Sequence, residues 1–367
     1  MDQERLFFLA LHFVPGVGNF LVKQLVSYCG SAEHVFKQSK ARLLKIPGIG
    51  EVTAQSINHG KTLSHAENVY RKAEREDTAI LFYTDKAYPH RLKAIEDAPS
   101  LLYVKGNINL NTSKALAIVG TRLATAYGKE QVEQLVEGLK PHGALIISGL
   151  AYGIDIHAHK QAMKFGLPTV GVLGSGMDVI YPASHKDTAR KMTNQGGLIT
   201  ENHFGTKPDA HNFPARNRII AGMCDALIVV EAAEKGGALI TAEIANSYNK
   251  DVFAIPGNLG HPFSEGCNKL IKINKANLLM SVKDLEYIMN WNPKIEPRDK
   301  QLNLDLPRYD PNEQTVIKAL QEKKSPATMD ELSIKTGFAQ GLLASLLLSL
   351  EFKNAVVSLP GKMYKLG

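Results

Sequence analysis

Cysteine is scarce. The 367 residues hold three, Cys29, Cys224 and Cys267, far apart and without paired spacing. That excludes a disulfide framework and a zinc knuckle, and leaves thiols in a reducing compartment as the expectation. No stretch reaches the roughly 18 apolar residues needed to cross a bilayer. The opening MDQERLFFLALHF begins with acids and soon meets proline and glycine, so it does not read as a signal peptide; a cytoplasmic protein with no membrane partner is expected. Charge of neither sign dominates: 43 Lys+Arg face 36 Asp+Glu, a net +7. The excess is densest in residues 1–75, with 10 basic against 6 acidic side chains. It permits a polyanionic partner without demanding one. Also missing are a GxGxxG after the first strand of the central pattern, a GxxxxGK[ST] loop and a nucleophile elbow. Dinucleotide binding, Walker-type hydrolysis and covalent acyl chemistry lose their usual signatures.

What is present divides into modules, as a chain too long for one ordinary core requires. Within 1–75, VPGVGNFLVKQL (14–25) recurs as IPGIGEVTAQSI (46–57), offset by 32 residues. Each copy sets Pro-Gly-apolar-Gly before a helical run. Glycine tolerates positive φ, so such a turn exposes backbone N–H groups at the start of the second helix. The pattern reads as a helix-hairpin-helix pair, of the SAM-like kind, serving either as a phosphate holder or as a scaffold.

A core is expected over 76–290. AILFYTD and SLLYVKGN read as bridging strands. From 114 onward, short continuous apolar runs at 115–120, 144–148, 169–174, 197–200, 226–231, 252–256 and 277–280 alternate with helical spacing. Runs of this kind are strands buried on both faces, and the alternation implies an α/β, Rossmann-like doubly wound parallel sheet. The proline-rich 291–312 reads as a linker. Residues 313–367 read as three helices and a strand pair around Pro-Gly, a winged helix. Its third helix, within 336–352, has no Lys or Arg. That suits protein packing better than the major groove, although Lys362 and Lys365 leave DNA contact open.

In an open parallel sheet, ligands bind beyond the carboxyl ends of the strands. Here those ends carry GTR (120–122), SGLAYGID (148–155), GSGMD (174–178) and EAAEKGGA (231–238). Converging glycine turns predict a phosphate-bearing ligand, though a glycine in one tight connection is ordinary. The most pointed segment is HNFPARNRIIAG (211–222). Arg216 and Arg218 flank Asn217 near a helix start and offer planar donors to phosphate, while Phe213 offers a stacking face. The alternative places the arginines on a solvated face and Phe213 in the core. Arg122, at the tip of the first glycine turn, faces a helix N-terminus that disfavours it without an anion. His157 and His159 stand two apart and make a poor metal pair. Asp155, Asp178, Glu201, Glu231 and Glu243 sit where caps and turns also want acids. No metal site, cofactor or catalytic group is expected.

GTR (120–122), SGLAYGIDIHAH (148–159), GSGMDVIYPASH (174–185), FPARNRIIAG (213–222), GGALITAEIA (236–245) and AIPGN (254–258) together resemble the DNA-processing protein A (DprA/Smf) family, in the same domain order. The resemblance implies a non-enzymatic, dimeric single-stranded DNA-binding protein. It would protect DNA and load the RecA recombinase in natural transformation, with the homodimer formed through the Rossmann-like core. It also implies a DNA groove formed by Gly120, Arg122, Ser148, Gly149, Phe213, Arg216, Asn217 and Arg218. Lys235, beside a glycine turn, is added from its position. The family often shows Gly-Ser-Arg where this chain has Gly-Thr-Arg. A second resemblance, to nucleotide phosphoribohydrolases of the lysine-decarboxylase-like group, rests on KGGALITAE and would make Glu243 an acid-base group. This stretch lacks that group's PGGxGTxxE proline and final glycine.

Overall fold

The computed structural model describes residues 2–58, 62–291, 309–323, 326–359 and 363–367, in two compact units. The first holds a nine-stranded sheet: β1 Thr78–Phe82, β2 Leu101–Lys105, β3 Ala115–Val119, β4 Leu145–Ser148, β5 Thr169–Val172, β6 Gly196–Thr200, β7 Ala226–Val229, β8 Asp251–Ala254 and β9 Asn277–Leu278. Their order is β1-β2-β6-β5-β4-β3-β7-β8-β9. From β6 to β9 every pairing is parallel, while β1–β2 and β2–β6 are antiparallel. The purely parallel sheet expected from the apolar runs thus gains an antiparallel edge from the two bridging strands.

Side chains of the central strands alternate between two apolar layers. Leu116, Ile118, Ile146 and Ile228 pack with helices Ala126–Gly138, Ile154–Lys164 and Val282–Ile288. Ala117, Val119, Ile147 and Val229 pack with helices Asn212–Met223, Gly237–Ser247 and Glu265–Lys272. At roughly 25 cal/mol per Å² of apolar surface, two such layers dominate the stability of the unit. The last of these helices is absent from the sequence reading. The strand order reverses at β3 and β7: β4, β5 and β6 run outward on one side, β8 and β9 on the other.

The amino-terminal helices Gln3–Leu11, Asn19–Cys29, Ala32–Lys37, Lys40–Leu43, Glu51–Asn58 and Thr62–Arg75 belong to the same compact unit as the sheet. Gly16 (φ 78°) and Gly48 (φ 81°) hold equivalent left-handed positions in the two hairpin copies, the conformation only glycine adopts without strain. The first hairpin is tied down by Asn19, which accepts from the Ser100 N–H at 3.0 Å and donates to Glu201 at 3.1 Å. Arg5 pairs with Asp85 at 2.8 Å and Lys72 with Asp178 at 2.6 Å.

Two histidines line this contact. His12 meets the Ser100 hydroxyl at 3.0 Å, and His203 meets the Tyr103 hydroxyl at 2.9 Å while its ring lies 4.4 Å from Phe13. Burial pushes His12 down to about 3 and His203 to about 4, with neighbouring histidines adding to the effect. Both values lie below the unfolded one, near 6.5. The neutral rings therefore contribute stability that is complete above about pH 6.5 and erodes as pH falls toward the folded values. The expected result is a falling thermal midpoint between pH 6.5 and 5, with a flatter profile in His203→Asn. Identical slopes in the two proteins would contradict it.

The second unit has helices Pro311–Lys323, Met329–Thr336 and Gln340–Phe352, with strands β10 Ala327–Thr328, β11 Val356–Leu359 and β12 Met363–Leu366 ordered β10-β12-β11. The third strand, two residues long, is too short to read from sequence. Leu343, Leu346, Leu347 and Leu350 fill the core against Val316, Ile317 and Leu320. Leu342, Leu348 and Phe352 on the same helix are exposed. Lys365 is exposed; Lys362 and most of the expected linker (292–308) lie outside the described residues. Among the described residues, no single helix is long and apolar enough to cross a membrane.

Candidate nucleic-acid interface

At the reversal of strand order, the chain leaves β3 and β7 on opposite courses, and a cleft of about 690 Å³ opens beyond their carboxyl ends. Its walls carry Gly120 and Arg122 after β3, Tyr181, then Phe213, Arg216 and Asn217, and Lys235 beside the Gly236–Gly237 turn. Helices Ile154–Lys164, Asn212–Met223 and Gly237–Ser247 begin around it, none with a side-chain cap. The Ala126–Gly138 helix, by contrast, is capped by Thr125. Two of these starts are already engaged: the Ile154 and Ile156 N–H groups donate to the Thr121 and Ala151 carbonyls, both at 3.1 Å, and the Asn212 N–H donates to the Asp209 carbonyl at 3.1 Å ahead of Pro214, which has no N–H. The Gly237–Ser247 start, without a side-chain cap, offers its positive dipole end to an anion.

The turn bearing Arg122 is laced from both sides. The Thr121 N–H donates to the Glu231 carbonyl at 2.8 Å, and the Ile154 N–H donates to the Thr121 carbonyl at 3.1 Å. A Cβ on Gly153, which has φ 77°, would sit 2.2 Å from that same carbonyl oxygen. Arg122 itself is exposed, has no ion-pair partner among the described residues, and holds its guanidinium 5.9 Å from the Phe213 ring centroid. Phe213 in turn lies 5.7 Å from Tyr181, which is 47% exposed. Two aromatic rings and a guanidinium thus line one cleft. Lys235 is exposed in the same lining and likewise has no ion-pair partner among the described residues.

Arg216 behaves differently. It is only 6% exposed, and its Nη1 donates to the Gly149 carbonyl at 2.6 Å and to the Val172 carbonyl. Asp155 faces it and accepts from the Gly149 N–H at 3.1 Å. Burial pulls the Arg216 guanidinium down to about 10, against the pull of Asp155, and the nearby charge of Arg122 lowers it further. Burial likewise raises the Asp155 carboxyl, opposed by Arg216. Two guanidiniums and one buried carboxylate leave a positive balance in the cleft, the condition that favours an added anion. A Cβ on Gly149 would stand 2.7 Å from the Arg216 nitrogens, so this glycine makes room for the strut.

Several residues expected in the groove have other tasks. Ser148 is fully buried and donates to the Ile118 carbonyl at 2.6 Å, which leaves its hydroxyl out of a ligand's reach. Gly149 is buried under Arg216. Arg218 does not line the cleft: it pairs with Glu201 and donates to the Asp97 carbonyl. At 100° per residue, positions 216 and 218 lie about 200° apart on their helix, so one reaches the strand-end carbonyls of Gly149 and Val172 and the other Glu201 and Asp97. The cleft therefore gathers Gly120, Arg122, Phe213, Arg216, Asn217 and Lys235, and excludes Arg218. Tyr181 was not singled out from the sequence, although the GSGMDVIYPASH segment carries it.

The acids are accounted for by structural partners. Glu231 accepts from the Thr125 N–H and hydroxyl at 3.0 and 2.5 Å, Asp178 from the Gly205 N–H at 2.8 Å, and Glu243 pairs with Lys275 at 2.7 Å, away from the cleft lining. His159 is buried against Thr169 and pushed down to about 3 by that burial. Among the described residues no group of three or more His, Cys, Asp or Glu side chains is placed to hold a metal ion.

Fold and site together define a class: a Rossmann-like core with a cleft carrying exposed cations at its switch point, preceded in the chain by a helix-hairpin-helix module and followed by a winged helix. Three family models match in that order: a SAM-like helix-hairpin-helix tandem over 8–57, DNA recombination-mediator protein A over 79–290, and the DprA winged-helix domain over 300–362. The chain belongs to the DNA recombination-mediator protein A (DprA/Smf) family. It is 31% identical to Protein Smf of Synechocystis over 99% of both chains, and 42% identical to DNA processing protein DprA of Streptococcus pneumoniae over 55% of this chain and 71% of that one. Among solved structures, the Streptococcus pneumoniae protein superposes with a TM-score of 0.66 at 32% identity, covering 78% of this chain and 98% of its own. DNA processing protein A of Helicobacter pylori, described for its single-stranded DNA binding mode, gives 0.53 at 28% identity, covering 58% and 96%.

Proposed function

We propose that the cleft binds single-stranded DNA without sequence readout and without catalysis. The observation that carries this reading is the convergence of exposed Arg122 and Lys235, the Phe213–Tyr181 ring pair and the uncapped Gly237–Ser247 helix start on one cleft, where the one carboxylate among the described lining residues, Asp155, is already matched by Arg216. Cations and N–H groups neutralise a flexible backbone, and rings accept bases of any identity. The family and the Helicobacter pylori relative support the choice of ligand.

Delivery of the bound strand to a RecA-type recombinase in the cytoplasm, during transformation or other recombination, is the cellular role we attach to this site. Support comes from the recombination-mediator family. We further propose a homodimer through the core. The exposed edge strand β9 supports it, with Leu278, Met280 and Tyr287 presenting apolar surface to solvent.

Phe213→Ala tests the stacking half of the reading. Base–aromatic stacking is worth about 1–3 kcal/mol per base, so oligothymidylate affinity should fall about 5- to 150-fold. An abasic strand should bind both proteins alike. Equal affinity of the two proteins for the base-bearing strand would overturn the stacking assignment.

A further inference from the structure

Arg122 borders a second cavity. On the other face of its turn lies an open groove of about 820 Å³ between the starts of helices Ala126–Gly138 and Ile154–Lys164. Its lining contains no carboxylate among the described residues. Lys129 and Lys160 are exposed there, and neither has an ion-pair partner among the described residues; the neighbouring Glu133 is already taken by Lys164 at 2.5 Å. Tyr152, 48% exposed, stands at its edge with its ring held against His185 at 4.8 Å and its hydroxyl accepting from Ser184 at 3.2 Å. The groove repeats the chemistry of the cleft: two unpaired cations, a fixed exposed ring and an adjoining glycine turn at Gly153.

We propose that the bound strand does not end at Arg122 but crosses the 120–123 turn into this groove, with Lys129 and Lys160 on its phosphates and Tyr152 beneath a base. The inference rests on the single-strand reading of the cleft. Arg122 then marks the middle of the footprint rather than its rim, touching backbone on both sides of the turn. Two unpaired lysines beside a tyrosine face suit a polyanion that is also aromatic, which separates nucleic acid from a simple phosphate ligand.

The test is a length series of oligothymidylates, from about 4 to about 16 nucleotides, the span of single-strand site sizes. It is run on the full chain, on Lys129→Ala/Lys160→Ala and on Arg122→Ala. The double variant should keep the parent affinity for the shortest strands. On the longest its salt slope should fall by about 1.4, two contacts at about 0.7 each. Both lysines are exposed and unpaired, so its melting point should match the parent. An unchanged slope on long strands, or an equal loss at every length, would overturn the second groove. If Arg122→Ala left every length unaffected, the single-strand reading itself would fail and take this proposal with it.

Discussion

Arg122→Ala should weaken binding to single strands of different sequence by a common factor of about 10 to 150. That factor follows from losing about 1.5–3 kcal/mol of charge-assisted hydrogen bonding. The salt slope should drop by about 0.7 for one lost phosphate contact. The structure makes this substitution clean. The side chain is exposed and unpaired among the described residues, while the turn beneath it is held by backbone bonds from Thr121 and Ile154 that alanine leaves intact. Melting temperature should therefore not move. A sequence-selective loss, measured by fluorescence anisotropy on oligothymidylate and oligocytidylate, would contradict a backbone role for this residue.

Arg216→Ala should do the opposite. Its guanidinium ties the Gly149 and Val172 carbonyls together and neutralises buried Asp155. Removing one partner of a buried pair costs about 3–5 kcal/mol, a fall in melting temperature of roughly 6–20 °C at 2–4 °C per kcal/mol. The loss should be smaller at pH 5 than at pH 8. Burial already raises the Asp155 carboxyl, and a protonated Asp155 needs no cation. Adding Asp155→Asn to Arg216→Ala should recover part of the loss, since the two residues share one interaction. Were Arg216 a phosphate ligand instead, melting would stay constant and only binding would suffer. Calorimetry at the two pH values separates these outcomes.

The two arginines bear on how far the sequence could be read. Motif spacing placed Arg216 and Arg218 beside Asn217 as equals. The same helical arithmetic that separates His157 from His159 puts them on opposite faces, one bonded to the Gly149 and Val172 carbonyls and one clamped to Glu201. Burial decides which arginine faces a ligand, and burial depends on packing partners far away in the chain. Ser148 is turned away from the cleft for a related reason: the last residue of a strand buried on both faces has its hydroxyl bonded inward to the Ile118 carbonyl. Phe213, Arg122 and Lys235 meet in one cleft because strand-end turns open on the switch point wherever the order reverses. Tyr181 joins them only through the fold, which sets its ring 5.7 Å from Phe213.

The sheet divides in the same way. Strands β3 to β7 are buried at every position and β8 at every position but Asp251, so their residues form short, mostly apolar runs that announce themselves. The pairing of β2 against β6 left no local trace, because antiparallel addition at an edge depends on a register between residues about a hundred apart. The Glu265–Lys272 helix buries Gly266, Cys267 and Leu270 on one face, but its 8 residues fall short of the roughly 10–12 over which a periodic pattern separates a helix from a short apolar run.

The central claim is that a single strand lies in the cleft with bases against its rings. Photo-cross-linking of an iodouracil-substituted strand, followed by peptide mass spectrometry, tests it most directly. The account predicts adducts on Phe213 and Tyr181, lost when unlabelled single strand competes. Adducts confined to the winged-helix unit or to the amino-terminal hairpins, with both cleft rings untouched, would contradict it.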